Sequence, residues 1–75
     1  MSWSKEDKAK WGVTERVAVV MSVLTDGQAL TVADAAELTG LTRAGAYALL
    51  CKLSSRLPIY NDPATRRWHY VPRRA

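Results

Sequence analysis

The segment VADAAELTGLTRAGAYALL, residues 32–50, constrains the fold more than any other part of the chain. Thr31 precedes it as a candidate N-cap, and Asp34 follows three residues later, as in a capping box. Gly40 ends the first helical pattern, and Thr42 caps a second one. The apolar residues of the second helix share one face at helical spacing: Ala46, Leu49, Leu50 and Leu53. The sequence therefore predicts two helices, residues 32–39 and 43–56, joined by a tight turn.

Small residues stand where these two helices must approach each other. Ala36 and Ala46 permit close packing at a steep angle, and Gly40 permits a backbone conformation that bulkier residues avoid. Gly40 comes four residues after Ala36, the apolar Leu41 follows at once, and Ala46 comes five residues later. This spacing is typical of a helix-turn-helix, although any short helix pair with a glycine turn matches part of it.

Beyond Pro58 the apolar pattern changes its period from helical to alternating. Residues 59–61 and 66–71 indicate two strands around an Asp-Pro-Ala-Thr turn, in which proline presets the backbone at the second position. On the second strand Trp68 and Tyr70 fall on the side that we expect to pack against the helices. A β-hairpin is therefore predicted to follow the helix pair.

An earlier helix is predicted to begin with Thr14 as its N-cap and to end at Asp26-Gly27. Ahead of it, Ser4 is a candidate cap for a short first turn, with Asp7 in the third helical position. Ala29-Leu30 indicates a very short strand before the next helix. The inward face of the earlier helix is predicted to hold Val13, Val17, Val20, Met21 and Leu24.

Two valines, Val19 and Val23, fall on the opposite side of that helix, where a surface helix is ordinarily polar. Either the N-terminal tryptophans or a second copy of the protein is expected to cover them. We therefore predict a dimer contact made either by Val19 and Val23 or by the N-terminal segment with Trp3 and Trp11.

Together these elements predict a mainly helical α+β fold. Three helices form the core, a short strand lies between the first and second of them, and a β-hairpin follows. The chain divides into an N-terminal segment (residues 1–13), one domain (residues 14–72) and a basic tail (residues 73–75).

The composition argues against several classes of function. One Cys and one His among 75 residues exclude an internal disulfide and a structural metal site of soft ligands. The longest apolar run, Val17–Met21, is far shorter than the ~20 residues of a membrane span, and the N-terminus lacks the apolar region of a secretory signal. Neither a Gly-rich phosphate loop nor a catalytic set is visible. We expect a cytoplasmic protein that is not an enzyme and needs no cofactor.

Positive charge is concentrated in the second half of the chain. Residues 1–41 contain four Lys or Arg against six acids, whereas residues 42–75 contain seven against Asp62 alone. This asymmetry predicts a negatively charged partner for the second half, and nucleic acid is the commonest one. Charge that serves solubility alone is the simpler alternative.

The stretch ALTVADAAELTGLTRAGAYALLCKL followed by PIYNDPATRRWHYV resembles the winged helix-turn-helix domains of the IclR and MarR types of bacterial regulator. The resemblance covers about three-quarters of the chain and implies that residues 43–56 form the recognition helix and residues 59–71 the wing. Arg66 stands where such wings usually have Gly. The effector-binding domain of these regulators has no counterpart here, so the resemblance does not extend to a response to ligand.

The resemblance implies a small regulator of bacterial, phage or plasmid type that reads double-stranded DNA. We expect it to bind as a dimer, because one module of about 75 residues buries too little DNA surface for tight specific binding alone. Arg43 is the candidate for base readout, since a guanidinium pairs bidentately with guanine, and Ala44 and Ala48 are placed to touch thymine methyl groups. The remaining candidate contacts, mostly to phosphate, are Thr42, Tyr47, Lys52, Arg66, Arg67, His69, Arg73 and Arg74.

The second helix of the pair carries few side chains able to read bases, which leaves two alternatives open. Ala44, Gly45, Ala46 and Ala48 offer no polar group. Specificity then comes from DNA shape and the wing, or this face binds a protein, as in a phage-type inhibitor or an assembly subunit. Binding of RNA by the same fold is a third alternative.

Overall fold

Four helices precede a two-stranded antiparallel hairpin in the computed structural model, which describes residues 3–71. The elements are α1 (Lys5–Ala9), α2 (Val13–Thr25), α3 (Val32–Thr39), α4 (Arg43–Ser54), β1 (Ile59–Asp62) and β2 (Arg67–Tyr70). This small, mainly helical α+β layout is the one predicted, and it is compatible with a winged helix. None of the helices within the described range has the length and apolar character that crossing a bilayer requires.

Hydroxyl caps define the starts of three helices. The side chains of Ser4, Thr31 and Thr42 accept hydrogen bonds from the backbone N–H groups at the third helical position, at 3.2, 3.0 and 3.1 Å. At α1 and α3 an aspartate at that position returns a bond to the cap residue, which completes a capping box. The predicted caps of these three helices are confirmed.

The predicted start of α2 is wrong. Gly12 and not Thr14 is the N-cap residue, because the Glu15 carboxylate accepts the Gly12 N–H at 3.2 Å and the helix begins at Val13. Val13 was expected on the buried face, yet 70% of its surface is exposed. Val13 is the first residue of α2 and precedes the turns of the helix that pack against the core. The buried residues of α2 are Val20 and Leu24.

A single hydrophobic core joins α2, α3, α4 and both strands. Leu50 is fully buried in the middle of α4, and the indole of Trp68 on β2 is 5% exposed. The other buried apolar residues are Val20, Leu24, Leu30, Ala35, Ala46, Leu53 and Ile59. The predicted inward face of α4 is confirmed, with Leu49 half-buried at its margin.

The strand predicted between α2 and α3 does not form in the described part of the chain. Leu30 alone pairs with β2, through an isolated bridge in which its N–H and carbonyl bond to Trp68 at 3.0 and 2.6 Å. One residue suffices only for a bridge, because Gly27 turns the chain out of α2 and Thr31 already caps α3. The bridge still fixes the hairpin against the helices.

Gly40 joins α3 to α4 in the left-handed conformation that the sequence predicts, with φ of 75°. A Cβ added there would also lie 2.8 Å from the Cβ of Lys8 on α1, which rests against the turn. Gly27 provides a matched comparison, because its φ is 92° and an added Cβ would meet nothing within 4 Å.

We expect Gly40→Ala to lower the free energy of unfolding more than Gly27→Ala does. The left-handed conformation alone costs a non-glycine residue about 1–2 kcal/mol, and Gly27→Ala reports that cost. Gly40→Ala adds the collision with Lys8, for an expected total of about 3 kcal/mol. Urea unfolding of both variants measures the difference, and equal losses would contradict the close contact between α1 and the turn.

Candidate nucleic-acid interface

The start of α4 is exposed. Thr42, Arg43 and Ala44 all lie at the surface, immediately after the turn at Gly40. The first backbone N–H groups of a helix have no intrahelical acceptor, and here the Thr42 side chain satisfies only that of Gly45. Among the helices of residues 3–71, α4 is the one without an acid in its first turn. The partial positive charge of this terminus is therefore not neutralised locally.

The buried residue Thr39 holds the end of α3 against this terminus. Its hydroxyl donates to the Ala35 carbonyl at 2.7 Å, and its oxygen accepts the Leu41 N–H at 3.4 Å. The side chain is completely buried. The buried side chain of Thr39 thus stabilises the turn that sets the direction of α4, in addition to the left-handed backbone of Gly40.

Tyr47 connects the exposed face of α4 to the hairpin. Its ring is 50% exposed and lies edge-on to Trp68, with 6.2 Å between centroids. A hydrogen bond with the Cys51 side chain raises the pKa of the Tyr47 phenol above its ordinary value. Arg43 stands four residues earlier, so it shares this helical face with Tyr47.

The hairpin presents two exposed arginines at its tip. Arg66 adopts a left-handed conformation with φ of 58°, and its N–H donates to the Asp62 carbonyl at 2.7 Å. Arg67 begins β2 and pairs with Asp62 in the strand register. Within residues 3–71, the hydrogen bonds from guanidinium groups all come from Arg16. Arg43, Arg66 and Arg67 are therefore available to a ligand.

The outer face of the hairpin carries an aromatic pair that includes the predicted contact His69. Tyr60 and His69 face each other across the strands and stack at 5.6 Å and 24°. His69 is half-buried, and its Nε2 atom is buried without a hydrogen-bond partner in the described structure. Tyr60 is 50% exposed and covers the imidazole, so it is the more accessible ring of the two. Tyr60 was not among the predicted contacts.

Two further predicted contacts, Ala48 and Lys52, are exposed on a different side of α4 from Arg43. Ala48 lies beside Tyr47, and Lys52 stands nine residues after Arg43, or about 14 Å farther along the helix axis. Lys52 also borders a groove that Val13 lines. It is therefore separated from the cluster at the helix start.

Arg16 positions the start of α4 without contacting it. Its guanidinium donates to the carbonyls of Thr39, Trp11 and Lys8 at 3.1, 2.7 and 3.1 Å. The ammonium of Lys8 in turn donates to the Glu37 carbonyl at 2.6 Å. These bonds fasten α1 and the linker before α2 to the end of α3. No periodic pattern signals such long-range bonds to backbone carbonyls, so this role of Arg16 is not predictable from the sequence.

The predicted site residues thus fall into separate groups. Thr42, Arg43, Ala44 and Tyr47 form one exposed surface on α4, and Arg66 and Arg67 lie on the hairpin that Tyr47 contacts through Trp68. Arg73 and Arg74 lie outside the described residues.

The residues predicted for a dimer contact lie on α2 and on the N-terminal segment that precedes it. Trp3 and Trp11 pack edge-to-face at 5.3 Å, and Val23 lines a groove together with Trp3. Val19 is half-buried on α2. The dimer contact stays a prediction.

Comparison of the chain with protein-family models, with curated proteins and with solved structures produced no match.

Proposed function

We propose that the protein is a winged helix-turn-helix that binds double-stranded DNA, and that it serves as a small transcriptional regulator of bacterial, phage or plasmid type in the cytoplasm. One observation carries the proposal. The start of α4 is exposed, free of acids and bears Arg43, and Tyr47 of the same helix contacts Trp68 of the hairpin that carries exposed arginines.

The mode of binding follows from this arrangement. The start of α4 enters the major groove, where Arg43 pairs with guanine and the free backbone N–H groups meet a phosphate. Arg66 and Arg67 contact the adjacent backbone or minor groove. The protein supplies charge and shape and carries out no chemical step. More than one copy is needed on a specific site, because a module of this size covers little DNA.

Selection of bound duplexes from a random pool at two salt concentrations tests the proposal. We expect one motif to be enriched, with affinity falling steeply as salt rises, because each neutralised phosphate releases condensed counterions. Absence of any salt-dependent binding at low ionic strength would overturn the proposal.

Arg66→Gly is expected to affect stability and DNA binding in opposite directions. Glycine accepts the left-handed backbone, so the free energy of unfolding rises by up to about 1 kcal/mol after the entropic cost of glycine. Loss of the guanidinium lowers the slope of log affinity against log salt by about 1 if it contacts one phosphate. Arg66→Lys is the control, since it keeps both the charge and the strain. A Gly variant with an unchanged salt slope would remove Arg66 from the interface.

A protein partner is the second candidate function, and one observation favours it. Tyr47 and Ala48 are exposed with half-buried Cys51 beside them, so the middle of α4 presents an apolar patch. A partner helix that covers this patch has no need of Arg43 or of the hairpin tip. Tyr47→Ser together with Ala48→Ser would abolish such binding, whereas DNA binding would keep its dependence on Arg43.

A further inference from the structure

Two uncovered grooves on residues 3–71 carry rims of opposite charge. The first, here named the acidic groove, has an apolar floor that includes Trp3, Val23 and Leu38, with Asp34 and Glu37 beside it. Trp3 is 38% exposed, and both acids lie at the surface. Lys8 also lines this groove, but its ammonium is held by the Glu37 carbonyl.

The second, here named the basic groove, runs between the start of α2 and the length of α4. Its apolar floor consists of Val13, Val17, Leu49 and Leu53, and Lys52 and Arg56 border it. Val13, with 70% of its surface exposed, is the most exposed large apolar side chain in the described chain. No acidic residue lines this groove, and it shares no residue with the acidic groove.

We propose that these grooves bind each other in two copies of the chain, so that the acidic groove of one copy docks on the basic groove of the next. Burial of Val13 against Trp3 and Leu38 removes apolar surface from water, while the acids of α3 meet Lys52 and Arg56. Contacts between like grooves would bring like charges together, which disfavours a two-fold arrangement through either groove alone.

A head-to-tail contact leaves one free groove at each end of the assembly, so further copies can add. Thr42, Arg43 and Ala44 line neither groove, so the start of α4 remains accessible in the assembly. If the proposed function holds, the copies occupy tandem DNA sites in one orientation rather than a palindrome. Trp3 and Val23 of the predicted dimer contact belong to this interface, whereas Trp11 and Val19 do not.

Two variants that each block one groove test the proposal without DNA. Val13→Asp places an acid in the basic groove and keeps the fold, because an acid at the first position of a helix is favourable. Glu37→Lys reverses the charge of the acidic groove at an exposed position of α3. Arg56→Glu is a second block of the basic groove. Thr14→Asp and Glu6→Lys are the matched controls, as they introduce the same charges at exposed positions outside both grooves.

Sedimentation equilibrium of the full chain supplies the readout. We expect the average mass of the wild type and both controls to rise continuously with concentration, and each blocked variant to associate at least about tenfold more weakly. A mixture of Val13→Asp with Glu37→Lys is expected to form a one-to-one dimer that grows no further. Added salt is expected to weaken association.

A wild type that stays monomeric up to millimolar concentration would overturn the proposal, as would blocked variants that associate like the wild type or fail to pair when mixed. Because no DNA is present, failure here leaves the proposed DNA binding standing. Conversely, failure of DNA binding leaves this contact untouched.

Discussion

Arg43→Ala is expected to abolish the preference of the protein for its selected duplex over random DNA. Arg43 is the one long polar side chain on the start of α4, where Ala44 and Gly45 present no polar group that can hydrogen-bond to a base. A bidentate contact to a base contributes about 1–3 kcal/mol of discrimination. Affinity for the selected site should therefore fall by about 10- to 100-fold, while affinity for random DNA should fall much less.

Arg56→Ala is the matched control for this experiment. It removes the same charge two residues beyond Ser54, the last residue of α4, which lies about 17 Å along the helix axis from Arg43. Because Arg56 borders the basic groove, sedimentation of Arg56→Ala without DNA reports separately any loss of contacts between copies. If Arg43→Ala lowers the affinity for selected and random duplexes by the same factor, Arg43 contributes charge and not base readout.

Arg16→Met is expected to give a large loss of stability. The guanidinium donates to three backbone carbonyls that belong to α1, the linker and α3. Methionine retains the apolar stem and leaves those carbonyls without their charged donor, which we expect to cost about 3 kcal/mol in total. For comparison, the total free energy of unfolding of a domain of this size is roughly 4–11 kcal/mol. The variant should unfold at markedly lower urea concentration.

We expect α1 to be the first part of Arg16→Met to unfold. This helix has five residues, far too few to persist in isolation, so it depends on these tethers. Trp3 and Trp11 pack on each other beside it, whereas Trp68 is buried in the core. Tryptophan fluorescence of Arg16→Met should therefore report exposure of the N-terminal pair before the main transition. Arg16→Lys keeps the positive charge but not the planar guanidinium, and we expect it to lower the free energy of unfolding by less than Arg16→Met does. An unfolding midpoint equal to that of the wild type would contradict the role assigned to Arg16.

Local chemistry made α3 and α4 predictable. Thr31 with Asp34, Gly40 and Thr42 each act within a few residues of their own position, and the predicted helix 32–39 matches α3. The hairpin follows for the same reason, since Asp62 bonds within its own turn and Arg66 takes the left-handed position that glycine usually occupies. The sequence therefore predicts an element correctly where the residues that cap or turn it lie within a few positions of one another.

The errors lie where two local options compete or where contacts are remote. Thr14 is a good capping residue, but Glu15 captures the N–H of Gly12 and starts α2 earlier. The predicted strand at Ala29-Leu30 reduces to a bridge because the neighbouring turn and cap leave one residue free to pair. Tertiary geometry decides both outcomes.

The candidate site was predictable in composition but not in arrangement. The sequence indicates which residues are basic and that Arg43 begins a helix. It does not indicate that Tyr47 meets Trp68, that Tyr60 covers His69, or that Lys52 borders a groove with Val13. Contacts between α4 and the hairpin depend on the packing of the whole core, and no spacing in the chain encodes them.

An amide chemical-shift titration with a random-sequence duplex at low ionic strength locates the DNA-binding surface residue by residue. If α4 and the hairpin bind DNA, the largest shifts fall on residues 42–47 and on Arg66 and Arg67, and the amides around Leu38 do not shift. Added salt is expected to reverse the shifts. Shifts centred elsewhere, or none that salt reverses, would contradict DNA binding by α4 and the hairpin.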